Sequence, residues 1–156
     1  MPKIDLLEFW RNVKKRFVAD GLDYLNNVSP SPRFYLVFSK GRGRFGMVIG
    51  RRGLRVELYF HNDQSKQLFD SMYAHKDSIR KDFGKKLVWQ RLDGKKASRI
   101  KFELVYADPE KLGDWREQAT RESRIDWFVE NLDHFYNALM PYWERVQSDL
   151  SKSKDL

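Results

Sequence analysis

Apolar side chains recur along this chain with two periods, and each period predicts an element. Leu6, Leu7, Trp10, Val13 and Phe17 return every three or four residues, with Lys14, Lys15 and Arg16 turned outward, which predicts an amphipathic helix over about 4–20. Asn26-Asn27 and Ser29-Pro30-Ser31-Pro32 then form a loop of strong breakers. Beyond it the period shortens to two, and strands are predicted over about 34–39, 45–49 and 54–60. In the third, Leu54, Val56, Leu58 and Phe60 alternate with Arg55, Glu57 and Tyr59, so one face is buried. A helix over about 63–83 follows, with Leu68, Phe69, Met72, Ile79 and Phe83 as its stripe and Gly84 as its stop.

Residues 85–106 read as a hairpin. Leu87-Val88-Trp89-Gln90-Arg91-Leu92 is one strand and Asp93-Gly94 the break. The second strand sets Ile100, Phe102, Leu104 and Tyr106 against Arg99, Lys101 and Glu103. Asp108-Pro109 has the chemistry of a helix start. A long helical period then runs from about 114 to 139 through Ile125, Phe128, Val129, Leu132, Phe135, Tyr136 and Leu139. Pro141 is expected to kink or restart it before a last helix with Tyr142, Trp143 and Val146. The order α-βββ-α-ββ-α predicts an α+β fold, a mostly antiparallel sheet flanked by helices. No repeat or linker interrupts it, so residues 1–150 are read as a single domain and 151–156 as a flexible tail.

Composition narrows the function classes. A chain of 156 residues with 41% hydrophobic and 15% aromatic residues buries a core and is not a disordered one. The absence of cysteine removes disulfides, thiolate metal sites and cysteine nucleophiles. No apolar run nears the roughly 20 residues that span a bilayer. Asp5 and Glu8 interrupt any signal-peptide pattern, so the expected location is cytoplasmic, with no membrane partner.

The net charge is +8, which favours an anionic partner, DNA or RNA. Its distribution is the sharper signal. Lys40, Arg42, Arg44, Arg51, Arg52 and Arg55 fall in a stretch without an acid. Arginine forks suit phosphate, and the interleaved glycines let a phosphodiester approach the backbone. The two turns lie at opposite ends of one strand, ~17 Å apart, so they line a strip rather than one pocket. Lys95, Lys96, Arg99 and Lys101 extend that strip if the β units share a face. Trp89, Tyr35 and Tyr59 are candidate stacking platforms, while Trp10, Trp115, Trp127 and Trp143 sit in helical patterns as packing residues.

Catalytic signatures do not survive inspection. The run Gly41 to Val48 matches G-x-G-x-x-G-x-V, and His75-Lys76-Asp77 with Asp82-Phe83-Gly84 imitates kinase triplets. Yet no lysine follows on the next strand, both triplets fall on one predicted helix, and the glycines lead into a strand. A hairpin turn with glycines at positive φ explains the run. His61, His75 and His134 are too scattered for a metal signature. Asp93-Gly94-Lys95 is a nuclease-like D-x-K fragment placed in a turn. Glu57 and Glu103 are expected to neutralise Arg55 and Lys101. No catalytic residue, metal ligand or cofactor is therefore assigned.

The set Val56-Glu57-Leu58-Tyr59, Phe69-Asp70, Ile79, Phe83-Gly84, Leu87, Trp89, Arg91-Leu92 and Ser98-Arg99-Ile100, with Leu7-Glu8-Phe9-Trp10, resembles the domain-of-unknown-function family 4268. Arg80 departs from the acid that the resemblance leads one to expect there. Members often sit C-terminal to restriction-nuclease-like domains in prokaryotes, so the resemblance implies a DNA-metabolism or defence setting and a nuclease-like protein partner. It implies no activity. The leading expectation is a non-catalytic nucleic-acid-binding or accessory module. A protein-interaction or dimerisation module using the aromatic C-terminal helices is one alternative. A Mg²⁺-dependent nuclease built on Glu57, Asp93 and Glu103 is the other.

Overall fold

Leu6, Phe9, Trp10, Val13 and Phe17 are all buried on one side of helix α1 (Pro2–Ala19). The stripe thus runs through Phe9 rather than Leu7, which is half-buried. The computed structural model describes residues 2–51, 53–105 and 118–154. Strands β1 (Tyr35–Lys40), β2 (Gly43–Ile49) and β3 (Gly53–Phe60) follow, then helices α2 (Gln67–Tyr73) and α3 (Lys76–Phe83). Strands β4 (Val88–Gln90) and β5 (Ser98–Val105) precede helix α4 (Gln118–Lys154). The fold is α+β, as the periods predict, with two changes.

The helix expected over 63–83 is two helices, broken at Ala74-His75 without glycine or proline. The His75 N–H bonds Met72 O instead of continuing the α ladder (2.9 Å), and α3 begins again with Ile79 and Phe83 buried. Pro141, by contrast, restarts nothing. It lies inside a 37-residue helix, held on either side by buried Leu139 and Trp143. Packing of the apolar face outweighs the single hydrogen bond that proline removes. The expected helix start at Asp108-Pro109, Tyr106 and Trp115 lie outside the described residues. Among the described residues, no helix is long and apolar enough to cross a membrane.

The sheet order is β1-β2-β3-β5-β4. Gly41 at φ +66° makes the turn between β1 and β2, while Gly43 and Gly46 lie within β2, so the glycine-rich run is a hairpin. Gly53 lets β3 approach the end of β5: a Cβ there would stand 1.8 Å from the Leu104 carbonyl oxygen. β4 is only three residues long and pairs antiparallel with β5 in the register Val88↔Lys101, Trp89↔Ile100, Gln90↔Arg99.

The chain divides into two compact units. Met1–Phe38, Gly46–Val56 and Glu103–Leu132 form the first, and Ser39–Phe45, Glu57–Phe102 and Asp133–Leu156 the second. In the first, Phe9, Trp10 and Phe128 pack with centroids 5.1–6.2 Å apart, and the Trp10 indole donates to the Arg33 carbonyl (2.6 Å). Arg16 ties α1 to α4 through Asp126. In the second, Phe83 meets Phe102 and Phe135 edge-on, and Phe60 packs on Trp143.

A buried polar clamp also belongs to the second unit. Asp63 accepts the Leu68 and Phe69 N–H groups at the start of α2 (3.0 Å each) and the Ser98 hydroxyl (2.6 Å). Lys66, left-handed at φ 65°, donates from its ammonium to the carbonyls of Lys95 and Ala97 (2.7 Å each). The loop 91–97 is thereby fastened to α2.

Candidate functional site

Trp89 is where packing becomes surface. Cross-strand partners share a sheet face, and its partner Ile100 is fully buried, so the indole points toward the core side. But β4 is an edge strand, so the ring ends half-buried at the margin. Phe69 and Tyr73 lie one turn apart on α2 and stack at 5.8 Å, and both meet Trp89 nearly perpendicularly, at 81° and 86°. Two rings therefore fix the orientation of the third.

A groove of about 580 Å³ opens beside this trio. Tyr73 and the Lys76, Asp77 and Arg80 side chains of α3 form one wall, and Lys86, Leu87 and Trp89 the other. A second hollow of about 420 Å³ shares Asp77, Arg80 and Lys86 with it and adds Lys81 and Lys85. Among the described residues, five cations thus line the two hollows with one acid. Helical spacing explains the first wall, since Lys76, Asp77 and Arg80 recur at three and four residues on α3. Gly84, left-handed at φ 80°, ends the helix and turns Lys85 and Lys86 toward the same space.

The cations differ in how occupied they are. Lys76 stands over the Tyr73 ring (4.4 Å) and donates to its hydroxyl (3.0 Å), a bond that raises the lysine pKa above its ordinary value. Lys85 lies over Phe102. Among the described residues, no carboxylate pairs with Arg80, Lys81 or Lys86.

Arg91 braces the segment just beyond Trp89. Its guanidinium grips Asp70 of α2 through Nε (3.0 Å) and Nη2 (3.1 Å), and it also pairs with Asp93. The Arg91 hydrogen bonds hold the Asp70 carboxyl below the usual carboxylate range, and the same bonds push Arg91 further up. A depressed carboxylate pKa contributes stability above its unfolded value and loses it as pH falls through the lower folded one. The Asp70 carboxyl is therefore expected to titrate below the ordinary aspartate range in an NMR titration, and Arg91→Gln to return it to that range. An unshifted midpoint in the native chain would show the brace to be open in solution.

The arginine-rich strip is only partly available. Arg42, Arg44, Arg51, Lys95 and Lys96 are exposed, whereas Lys40, Arg55 and Arg99 are half-buried. Lys40 lies over Tyr136, and Arg99 pairs with buried Glu57 (3.7 Å) over the Tyr59 ring. Arg52 lies outside the described residues. Arg51 and Arg55 belong to the first unit; Lys40, Arg42, Arg44, Lys95, Lys96 and Arg99 belong to the second. Of the stacking candidates, Tyr59 is covered by Arg99, and exposed Tyr35 carries Arg33 on its hydroxyl (2.7 Å). Asp93 holds Arg91 and Glu57 holds Arg99, and among the described residues no three histidine or acidic side chains converge.

The sequence does not announce Tyr73, Lys76, Arg80 and Lys86 of the groove, or Lys81 and Lys85 of the hollow beside it. Asp77 and Asp82 interleave with them and mask the basic character of the stretch. In comparisons with known proteins, residues 7–143 match the family described as Domain of unknown function (DUF4268). No curated protein and no solved structure matches.

Proposed function

We propose, starting from the fact that the chain belongs to the DUF4268 family, that it is a non-catalytic module that binds nucleic acid through its phosphates, without reading sequence. The observation that carries this reading is the excess of cations whose charge the fold leaves available. Arg42, Arg44, Arg51, Lys95 and Lys96 stay exposed, and the groove with its neighbouring hollow adds Arg80, Lys81 and Lys86 without carboxylate partners among the described residues. Phosphate neutralisation by such groups releases counterions and makes affinity fall steeply with salt. The C-terminal helix offers less to a protein partner, because Phe128, Phe135 and Trp143 have no exposed surface.

Anisotropy of labelled DNA and RNA tests the proposal. Binding in the micromolar range is expected at about 50 mM salt, weakening by roughly a hundredfold at about 300 mM. Charge reversal at Arg42 and Arg44 should weaken binding evenly across sequences and lower the salt slope by about one per lost contact. No binding at the lower salt refutes it, and the positive charge is then a solvated surface.

A further inference from the structure

The groove beside Trp89 differs from the rest of the basic surface because cations and an oriented aromatic ring line the same space. Phosphate attraction alone needs no ring. Conversely, a core tryptophan needs no ring of cations, yet Lys76, Arg80 and Lys86 face the same hollow as the indole. Its volume of about 580 Å³ falls in the ~300–1,000 Å³ range of small-molecule clefts.

We infer that this groove takes single-stranded nucleic acid, with one unpaired base against Trp89 and the flanking phosphates on Arg80, Lys86 and Lys76. The inference rests on the nucleic-acid reading above and names the form of ligand. A duplex keeps its bases stacked on each other and offers a ring only its phosphates and groove edges. An unpaired base presents a π-face, and stacking on aromatic side chains is tolerant of sequence. Trp89 is ready for that contact, since the perpendicular Phe69 and Tyr73 rings fix its plane before any ligand arrives. Tyr73 itself is 41% exposed but lies between Phe69 and the Lys76 ammonium, so it serves as a support that places a cation at the groove wall. Asp77, the one acid among the described lining residues, stands on the wall next to Lys76 and weakens the pull of that turn on a phosphate. The strand is thereby steered toward Arg80 and Lys86.

The test is competition binding on the full chain with a labelled mixed-sequence oligonucleotide, the matching duplex and inorganic polyphosphate as probes. The single strand is expected to bind roughly tenfold or more tightly than the duplex. Trp89→Leu should cost the single strand about 5- to 100-fold and leave the duplex unchanged, while Trp89→Phe retains most of the affinity. Arg80→Glu with Lys86→Glu, both exposed and outside the core, should lower the single-strand salt slope by about 1.4. Equal binding of single strand and duplex, or polyphosphate competing as well as the oligonucleotide, would overturn the stacking role and leave the general phosphate reading standing. If no nucleic acid binds at about 50 mM salt, both readings fall together.

Discussion

Trp143→Ala is expected to lower the stability of the folded chain by about 3–5 kcal/mol, read as a lower urea midpoint at an unchanged slope. The indole is fully buried, packs on Phe60 at 5.0 Å and donates from Nε1 to the Lys40 carbonyl (2.8 Å). The absence of a side chain at Gly43 shapes the space around it, since a Cβ there would lie 3.0 Å from the indole. Such a site collapses poorly when the ring is removed, so the cavity term adds to the lost transfer energy. Trp143→Phe keeps an aromatic ring and removes the donor, with an expected loss of about 1–2 kcal/mol. If alanine cost no more than phenylalanine, Trp143 would be a surface anchor rather than a core residue.

Asp63→Ala is expected to cost about 3–5 kcal/mol by a different route. Nothing large is removed, but the Leu68 and Phe69 N–H groups and the Ser98 hydroxyl lose their acceptor inside the protein. Each orphaned donor carries a desolvation penalty of about 1–3 kcal/mol, partly relieved where water enters. Asn retains one accepting oxygen and falls between the two. Ser98→Ala removes a donor together with its need, so it costs about 1 kcal/mol or less. The Asp63/Ser98 double mutant should therefore lose less than the sum of the single losses. Strict additivity in thermal or urea unfolding would mean that the hydroxyl and the carboxylate do not meet.

Where one chemical signal dominates locally, the sequence is readable. The α1 stripe, the alternation of β3 and the glycine stop at Gly84 all emerge from neighbours within a turn or two. The break at Ala74-His75 does not, because Met72, Ile79 and Phe83 keep a helical period straight across it. Pro141 misleads in the opposite sense: a local breaker sits between buried residues that hold the helix together. Arg99 reads as part of a basic strip, but the register of the sheet brings it to Glu57. The groove is hidden for a related reason. Its walls come from residues 73–80 and 86–89, which share one space only through the chain reversal at Gly84.

Lys66 shows how tightly backbone and side chain can oppose each other at one position. Its left-handed backbone, at φ 65°, favours glycine or asparagine by about 1 kcal/mol. Its ammonium, hydrogen-bonded to Lys95 and Ala97, requires a long cation. Glycine would relax the chain and release the loop that carries Lys95 and Lys96, whereas arginine would keep the strain and bring a fork where a point donor fits. Drift at this position has no neutral neighbour to move through, so a lysine that looks interchangeable in the sequence is fixed there by its backbone and its two carbonyl partners together.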